Sequence, residues 1–376
     1  MNKILLFFSA FLPLSLFAQI LPLQTICPFP KSLRETSGIF SADKGKTIWT
    51  HTDSGGKNKL YKMDTLGNIL RKIVIKNATN TDWEDITTDN MGNVYIGDFG
   101  NNENIRQDLK IYKIQNPDST KNDTITAEII RFSYSNQSLF PPKSKQKNFN
   151  VEAFVWCNDS LHLFSKNETS PFNGYTQHFV LPVDTGQQLA QIRDSFLMGT
   201  ANMFSFWVTS AGMNVAHNQL VLLSSDKIAL FSHFSGTNFL QGEVQIFPLS
   251  DFSQKEGVCF ANDSMLYISD EYFSALKVGG NLYKVHLPKP NKAETDFSER
   301  NISFFFTPKI HEIAIYFSEI PEKGHISILT TNGKVLLEAN KIEEEMKLST
   351  LAWKKGVYVL CWNGKMIGKI KIRKSS

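Results

Sequence analysis

The sequence predicts an all-β chain, and three observations carry that reading. Aromatic residues are abundant, with 29 Phe, 10 Tyr and 6 Trp, a bias toward strands. Short β-branched or aromatic runs alternate with Gly, Asn and Asp along most of the length. A glutamate opening an apolar run recurs at Glu35, Glu84, Glu152 and Glu256, and Thr209 opens a run in the same frame without the acid, at intervals of 49, 68, 57 and 47 residues. Repeats of about 40–50 residues are the period of propeller blades. The expected fold is therefore a five-bladed β-propeller of four strands per blade. A six-bladed ring is the alternative if the long second interval holds a further unit.

The elements follow in order. Residues 4–18 form an apolar run after Lys3, interrupted by Pro13; the pattern is that of a secretory signal peptide over residues 1–18. Next comes an orphan strand, Leu23 to Cys27. Five units follow over residues 19–290, each with strands such as Thr47–Thr50, Lys59–Lys62 and Leu70–Ile73 in the first. The fifth unit has no fourth strand, because Pro288-Lys289-Pro290 ends it. The orphan strand is expected to complete that last blade and hide its edge. Cys27 and Cys259 then share a blade; buried free thiols or a bridge between these two are both open. No segment after the N-terminus reaches the roughly 20 apolar residues of a membrane helix. With 41% hydrophobic and 20% charged residues the chain is not a disordered one.

The boundary near Lys289 to Arg300, which opens Lys-Pro-Asn-Lys, reads as a linker over residues 291–300, and the pattern then changes. Seven short strands are expected within 301–376, with hairpin turns at Asn332-Gly333 and Asn363-Gly364, which argues a small antiparallel β-sandwich. This segment holds 12 Lys and Arg against 7 Asp and Glu, whereas residues 19–300 hold 27 against 29. The run Thr331-Asn332-Gly333-Lys334-Val335, then Leu348 to Leu351 with Gly356-Val357-Tyr358, then Lys369-Ile370-Lys371-Ile372, resembles the C-terminal sorting domain of type IX secretion cargo. A Pro-Asn-Pro entry usual in that family is absent; Thr307-Pro308-Lys309 stands there. The resemblance implies the outer-membrane type IX secretion machinery as a partner, and a secreted or outer-membrane-surface location.

In a propeller the strand-opening residues converge on one mouth of the ring. Glu35, Glu84, Glu152 and Glu256 would then form a cluster that repels itself unless a cation or proton joins it, and hard oxygen ligands favour Ca²⁺. The other reading is that each Glu binds neighbouring backbone N–H groups and locks blade to blade. The ends of the second strands add Asp98, Asn101, Asn102, Asp270 and Glu271 as candidate ligand-binding residues. His51 and Asp53 are candidate catalytic groups, His51 as general base. The placement of these acids resembles the calcium-dependent propellers of the gluconolactonase, paraoxonase and phytase-like groups, which implies a metal that polarises a lactone or phosphate ester. Two functions follow: a surface binding or scaffold propeller, monomeric, for a small-molecule or polymer ligand, or a Ca²⁺-dependent hydrolase. No P-loop, GxSxG, HExxH or dinucleotide fingerprint is present, and the propeller part lacks the basic surface of a nucleic-acid binder.

Overall fold

The computed structural model describes residues 20–288 and, toward the C-terminus, 302–307, 312–317, 324–331, 333–340, 345–350, 353–362 and 365–372. The expected signal peptide and linker, and the turn Asn363-Gly364, lie outside the described residues. The chain divides into two units, residues 1–289 and 290–376.

The first unit is a β-propeller, built from strands that pair in groups of four. β1 (Gln24–Pro28) comes first in the chain. β2 (Thr36–Phe40), β3 (Thr47–Thr52), β4 (Lys59–Asp64) and β5 (Ile69–Ile75) form one group. β6 (Trp83–Thr88), β7 (Val94–Asp98), β8 (Lys110–Ile114) and, after a two-residue β9 (Thr124–Ile125), β10 (Glu128–Tyr134) form the next. Then come β11 (Asn150–Cys157), β12 (Ser160–Lys166), β13 (Tyr175–Pro182) and β14 (Gly186–Leu197). β15 (Ser210–Met213), β16 (Gln219–Leu223), β17 (Lys227–Ser232) and β18 (Glu243–Pro248) follow. The last group is β19 (Lys255–Asn262), β20 (Met265–Asp270) and β21 (Asn281–His286), completed by β1 in antiparallel pairing with β21. The N-terminal strand thus covers the edge that Pro288 leaves open.

The first strand of each group is innermost. β2 lies against β6, β6 against β11, β11 against β15, β15 against β19, and β19 against β2, which closes the circle. Because side chains alternate between the two faces of a strand, strands walled in on both sides are buried along nearly their whole length. On β11, Phe154 and Trp156 enter the core shared with the preceding group, while Ala153, Val155 and Cys157 enter the core shared with the following one. Each pair of neighbouring groups buries one such core. Trp49 and Trp83 fill the one between the first and second groups. Cys27 and Cys259 lie in the core between the last group and the first. All four cysteines are buried free thiols, so the Cys27–Cys259 bridge does not form.

Two features depart from the expected pattern of separate four-stranded sheets. β10 pairs in parallel with β14, from Ile130↔Gly186 to Tyr134↔Ala190, and joins the second and third groups into one eight-stranded sheet. β9 adds in parallel to β5. The 68-residue interval is taken up by β9, by the loop after β10 and by a single 3-10 turn at Ser144–Gln146, without a further four-stranded group.

The second unit contains two antiparallel sheets. β22 (Ile302–Thr307), β23 (Glu312–Phe317) and β26 (Glu345–Ser349) make one. β24 (Ile326–Thr330), β25 (Val335–Ala339), β27 (Gly356–Trp362) and β28 (Lys365–Ile372) make the other, in the order β25-β24-β27-β28. Ile315 of the first sheet joins Ile326, Ile328, Leu360 and Trp362 of the second in one core.

Candidate functional site

Four of the innermost strands, β2, β6, β11 and β19, carry bulges at matching points near their starts, while β15 pairs regularly with β16. Register against the second strand shifts between Thr36 and Ile39, Trp83 and Ile86, Val151 and Ala153, and Lys255 and Gly257. A bulge leaves one residue unpaired and re-aims its side chain. Glu84, Glu152 and Glu256 are residues so released, and each is almost fully buried.

Asp53, Asp82 and Glu84 place carboxylate oxygens within 4.8 Å of one another. Asp53 follows β3, so it reaches the mouth from the first group, while Asp82 and Glu84 arrive with the start of β6. Asn80 fixes that junction, its Nδ2 donating to the carbonyls of Thr52 and Asp53 at 2.8 Å each. Asp82 is held in turn by its own N–H, which donates to Asp98 Oδ1 at 3.2 Å. Gly100 leaves this space open: a Cβ there would sit 2.0 Å from Glu84 Oε1 and 2.4 Å from Asp82 Oδ2, so the two carboxylates would have to move.

Lys166, at the end of β12, is the counter-charge. Its Nζ donates to Glu152 Oε1 at 2.6 Å and sits 4.9 Å above the Trp207 ring. Burial alone would lower Lys166, but Glu152, Glu256 and Glu84 hold it above its ordinary value. One lysine does not neutralise this many acids. Burial, then the charge of Glu152, pushes Glu84 and Glu256 well above the usual carboxylate range. Burial lifts Asp53 to about 6 and Glu271 to about 8, with Asp53 and Glu35 adding to the latter. Among the described residues, Glu152 Oε2 and Asp53 Oδ1 of this cluster are buried carboxylate oxygens with no hydrogen-bond partner. Glu168 flanks the cluster, with Oε2 accepting from Asn104 Nδ2 at 2.6 Å and Oε1 from Asn150 Nδ2 at 3.1 Å.

The structure thus joins Glu84 with Asp53 and sets Glu152 and Glu256 about Lys166. Glu35 stands on the exposed turn before β2, with Glu271 as its charged neighbour. Asp98 is fully buried and ion-paired to Arg106 Nη2 at 2.9 Å, so it buttresses the loop. Asn101 is buried and spends its amide on Phe149 O and the Arg106 N–H, and exposed Asn102 accepts from Asn150 Nδ2. Asp270 is buried and accepts from Asn281 N and the Tyr283 hydroxyl. Glu271 takes an amide hydrogen bond from Gln254 at 2.6 Å. His51 is fully buried against the edge of Trp83, and desolvation drops it to about 4; a packed neutral imidazole of this kind is not placed to serve solvent as a base.

Sequence reasoning missed Asp82, Lys166, Glu168 and Asp85. Lys166 had a signal, since it ends its second strand where Asp98 and Asp270 end theirs. Asp85 closes the ring axis. Its Oδ2 accepts from Phe154 N at 3.1 Å and Ala211 N at 3.2 Å, and its Oδ1 from the Ser210 hydroxyl at 3.1 Å. That hydroxyl accepts from Val258 N, and the Asp85 carboxylate fills the space a side chain at Gly38 would need. One carboxylate therefore touches or is linked to every innermost strand. Burial pushes it up to about 8, against the hydrogen-bond donors that pull it down.

Several solved propellers resemble this chain. The PQQ-bound aldose sugar dehydrogenase of Streptomyces coelicolor has a TM-score of 0.41 at 9% identity, over 70% of this chain and 96% of that one. The gluconolactonase XC5397 of Xanthomonas campestris has a TM-score of 0.37 at 11% identity, over 67% and 72%. PorZ, a surface component of the type IX secretion system of Porphyromonas gingivalis, has a TM-score of 0.35 at 12% identity, over 90% and 45%. No curated protein matches the chain. Residues 27–272, well over half of the sequence, match the family model described as SdiA-regulated, and the chain belongs to that family.

Proposed function

We propose that the protein is an exported, surface-displayed five-bladed propeller that binds its ligand through a hard divalent cation held at the acidic mouth. The observation that carries this is the meeting of Asp53, Asp82 and Glu84 within 4.8 Å beside the buried, unpartnered Oε2 of Glu152. An unpaired buried carboxylate oxygen is costly, and an all-oxygen donor set suits Ca²⁺, which takes six to eight such ligands and tolerates irregular geometry. Asp53, Asp82, Glu84 and Glu152 would hold the ion. Bound there, Ca²⁺ supplies a positive centre for a carboxylate, phosphate or hydroxyl oxygen of a ligand. Lys166 keeps Glu152 aimed at the mouth through its remaining oxygen.

Calorimetric titration of the chelator-treated protein with Ca²⁺ tests this. Saturable uptake near one ion per chain is expected, weakened at least about tenfold, or about 1.4 kcal/mol, by Glu84→Gln. A flat trace with the wild-type chain overturns the proposal.

A hydrolytic role is the second reading, and Glu168 favours it. Its carboxylate is oriented by two side-chain amides at the rim of the cluster and is not among the four proposed ligands, the placement a general base needs. If this reading holds, Ca²⁺-loaded protein hydrolyses a δ-lactone or an aryl phosphate, and Glu168→Gln lowers kcat by about 10²-fold or more with Ca²⁺ uptake unchanged. Absence of turnover on both substrates leaves the binding role alone.

A further inference from the structure

The ring has a second mouth. Beyond Asp85 the innermost strands run on to Phe40, Thr88, Trp156, Met213 and Phe260, which line a cavity of about 410 Å³. Trp156 lies four residues past Glu152 on the same strand, a rise of roughly 13 Å. Cavities of about 300–1,000 Å³ are the size that holds small molecules. The Asp85 hydrogen-bond network lies between the two mouths, so this cavity is separate from the acidic cluster.

Its lining says what it would take. Among the described residues no lysine or arginine contributes to it, and the single carboxylate that does is Asp89. Both Asp89 oxygens are already engaged: Oδ1 accepts from Met91 N and Asn93 N, and Oδ2 from Asn93 Nδ2 and the Tyr95 hydroxyl. His217, set at 5.5 Å from the Trp156 ring, is kept below its ordinary range by burial and is neutral at pH 7. A charged ligand would lose water here and find no counter-charge. A wholly apolar one would strip water from the exposed amide of Asn90 at the rim. A molecule with apolar C–H faces and neutral hydroxyls satisfies both the apolar part of the lining, from residues such as Ile86, Ala211 and Met213, and the polar rim.

We propose that this second mouth is a binding site for a neutral saccharide, from one to two pyranose rings, independent of the cation at the opposite mouth. The test is calorimetric titration of the full chain, in EDTA, with glucose, N-acetylglucosamine and cellobiose in turn, and with gluconate as the charged control. Saturable binding of at least one neutral sugar is expected, with gluconate at least about tenfold weaker. Trp156→Ala should abolish it; because Trp156 is a core residue, Met91→Trp provides the second variant. Met91 is 74% exposed at the rim, so a larger ring there blocks the cavity without disturbing the core, and binding should fall at least about tenfold at an unchanged melting temperature. No saturable binding of any neutral sugar, equal binding of gluconate, or full binding by Met91→Trp overturns the proposal. EDTA removes the cation, so this result stands apart from that of the Ca²⁺ titration.

Discussion

At the scale of single residues, glycine and histidine carry the sharpest tests. Gly100 lets Glu84 and Asp82 approach because it has no Cβ. Its backbone lies outside the left-handed region, so alanine is tolerated locally and acts only through space. Gly100→Ala should push the two carboxylates apart and weaken Ca²⁺ at least about tenfold, close to 1.4 kcal/mol, though no ligand atom is removed; unchanged affinity would mean the trio does not hold the ion. His162 tests burial away from the mouths. Its Nδ1 lies 2.9 Å from His178 Nε2, and His178 Nδ1 lies 2.8 Å from Asp194 Oδ1. Burial, then His178 and Arg193, lowers His162 from 6.5 to about 3, and burial lowers His178 despite Asp194. Above pH 6.5 folded and unfolded chains are both neutral at His162, and it costs nothing. As pH falls from 6.5 toward 3 the unfolded chain takes up a proton that the folded one refuses, and stability drops by up to about 1.4 kcal/mol per pH unit for that proton. His162→Gln keeps a partner for His178 and should flatten the slope of urea-derived stability between pH 6.5 and 4.5 by close to one proton; an unchanged slope refutes the assignment.

At the scale of elements, the strand pattern was legible and the bulges were not. Glu84, Glu152 and Glu256 announce the starts of inner strands because an acid before an apolar run is rare enough to see. The closing pair β1 and β21 was legible too, because Pro288 removes a ladder donor just where a fourth strand would start, and an unpaired strand stood waiting at the other end. A bulge has no such mark. Nothing in Asn150-Val151-Glu152-Ala153 distinguishes a regular strand from one that skips a partner at Glu152, yet the skip decides whether the acid faces the mouth or the neighbouring group. The same holds for Asp85. Read along the strand it is one more acid beside Glu84, and only the closed circle shows it bonded to β11 and β15, more than 65 residues away in sequence. Asp98 and Asp270 were misplaced for the converse reason: an acid at a strand end reads as open to ligand until Arg106, Tyr283 and the loop backbone are folded over it. The parallel seam between β10 and β14 was equally silent, since pairing between two outermost strands depends on how the groups splay, which no local pattern records.

At the scale of the whole molecule, the chain forms two units, which truncation can separate. The propeller closes on itself through β1 and β21, so its last edge does not wait for residues beyond Lys289. Its apolar cores all lie between neighbouring groups of the first unit, and the second unit has a core of its own around Tyr358 and Trp362. Units with separate cores can in principle fold alone. A chain ending at Lys289 is therefore expected to keep its cooperative melt and its Ca²⁺ uptake. If the seven strands of the second unit are the sorting domain that their turn and Lys-rich closing strand resemble, the truncated chain is retained inside the outer membrane, while the full chain reaches the surface or the medium. Cell fractionation with surface protease digestion separates these outcomes. Export of the truncated chain at the full-length level would remove the sorting role from the second unit and leave it an accessory sandwich; loss of Ca²⁺ uptake on truncation would show that the acidic mouth depends on the second unit.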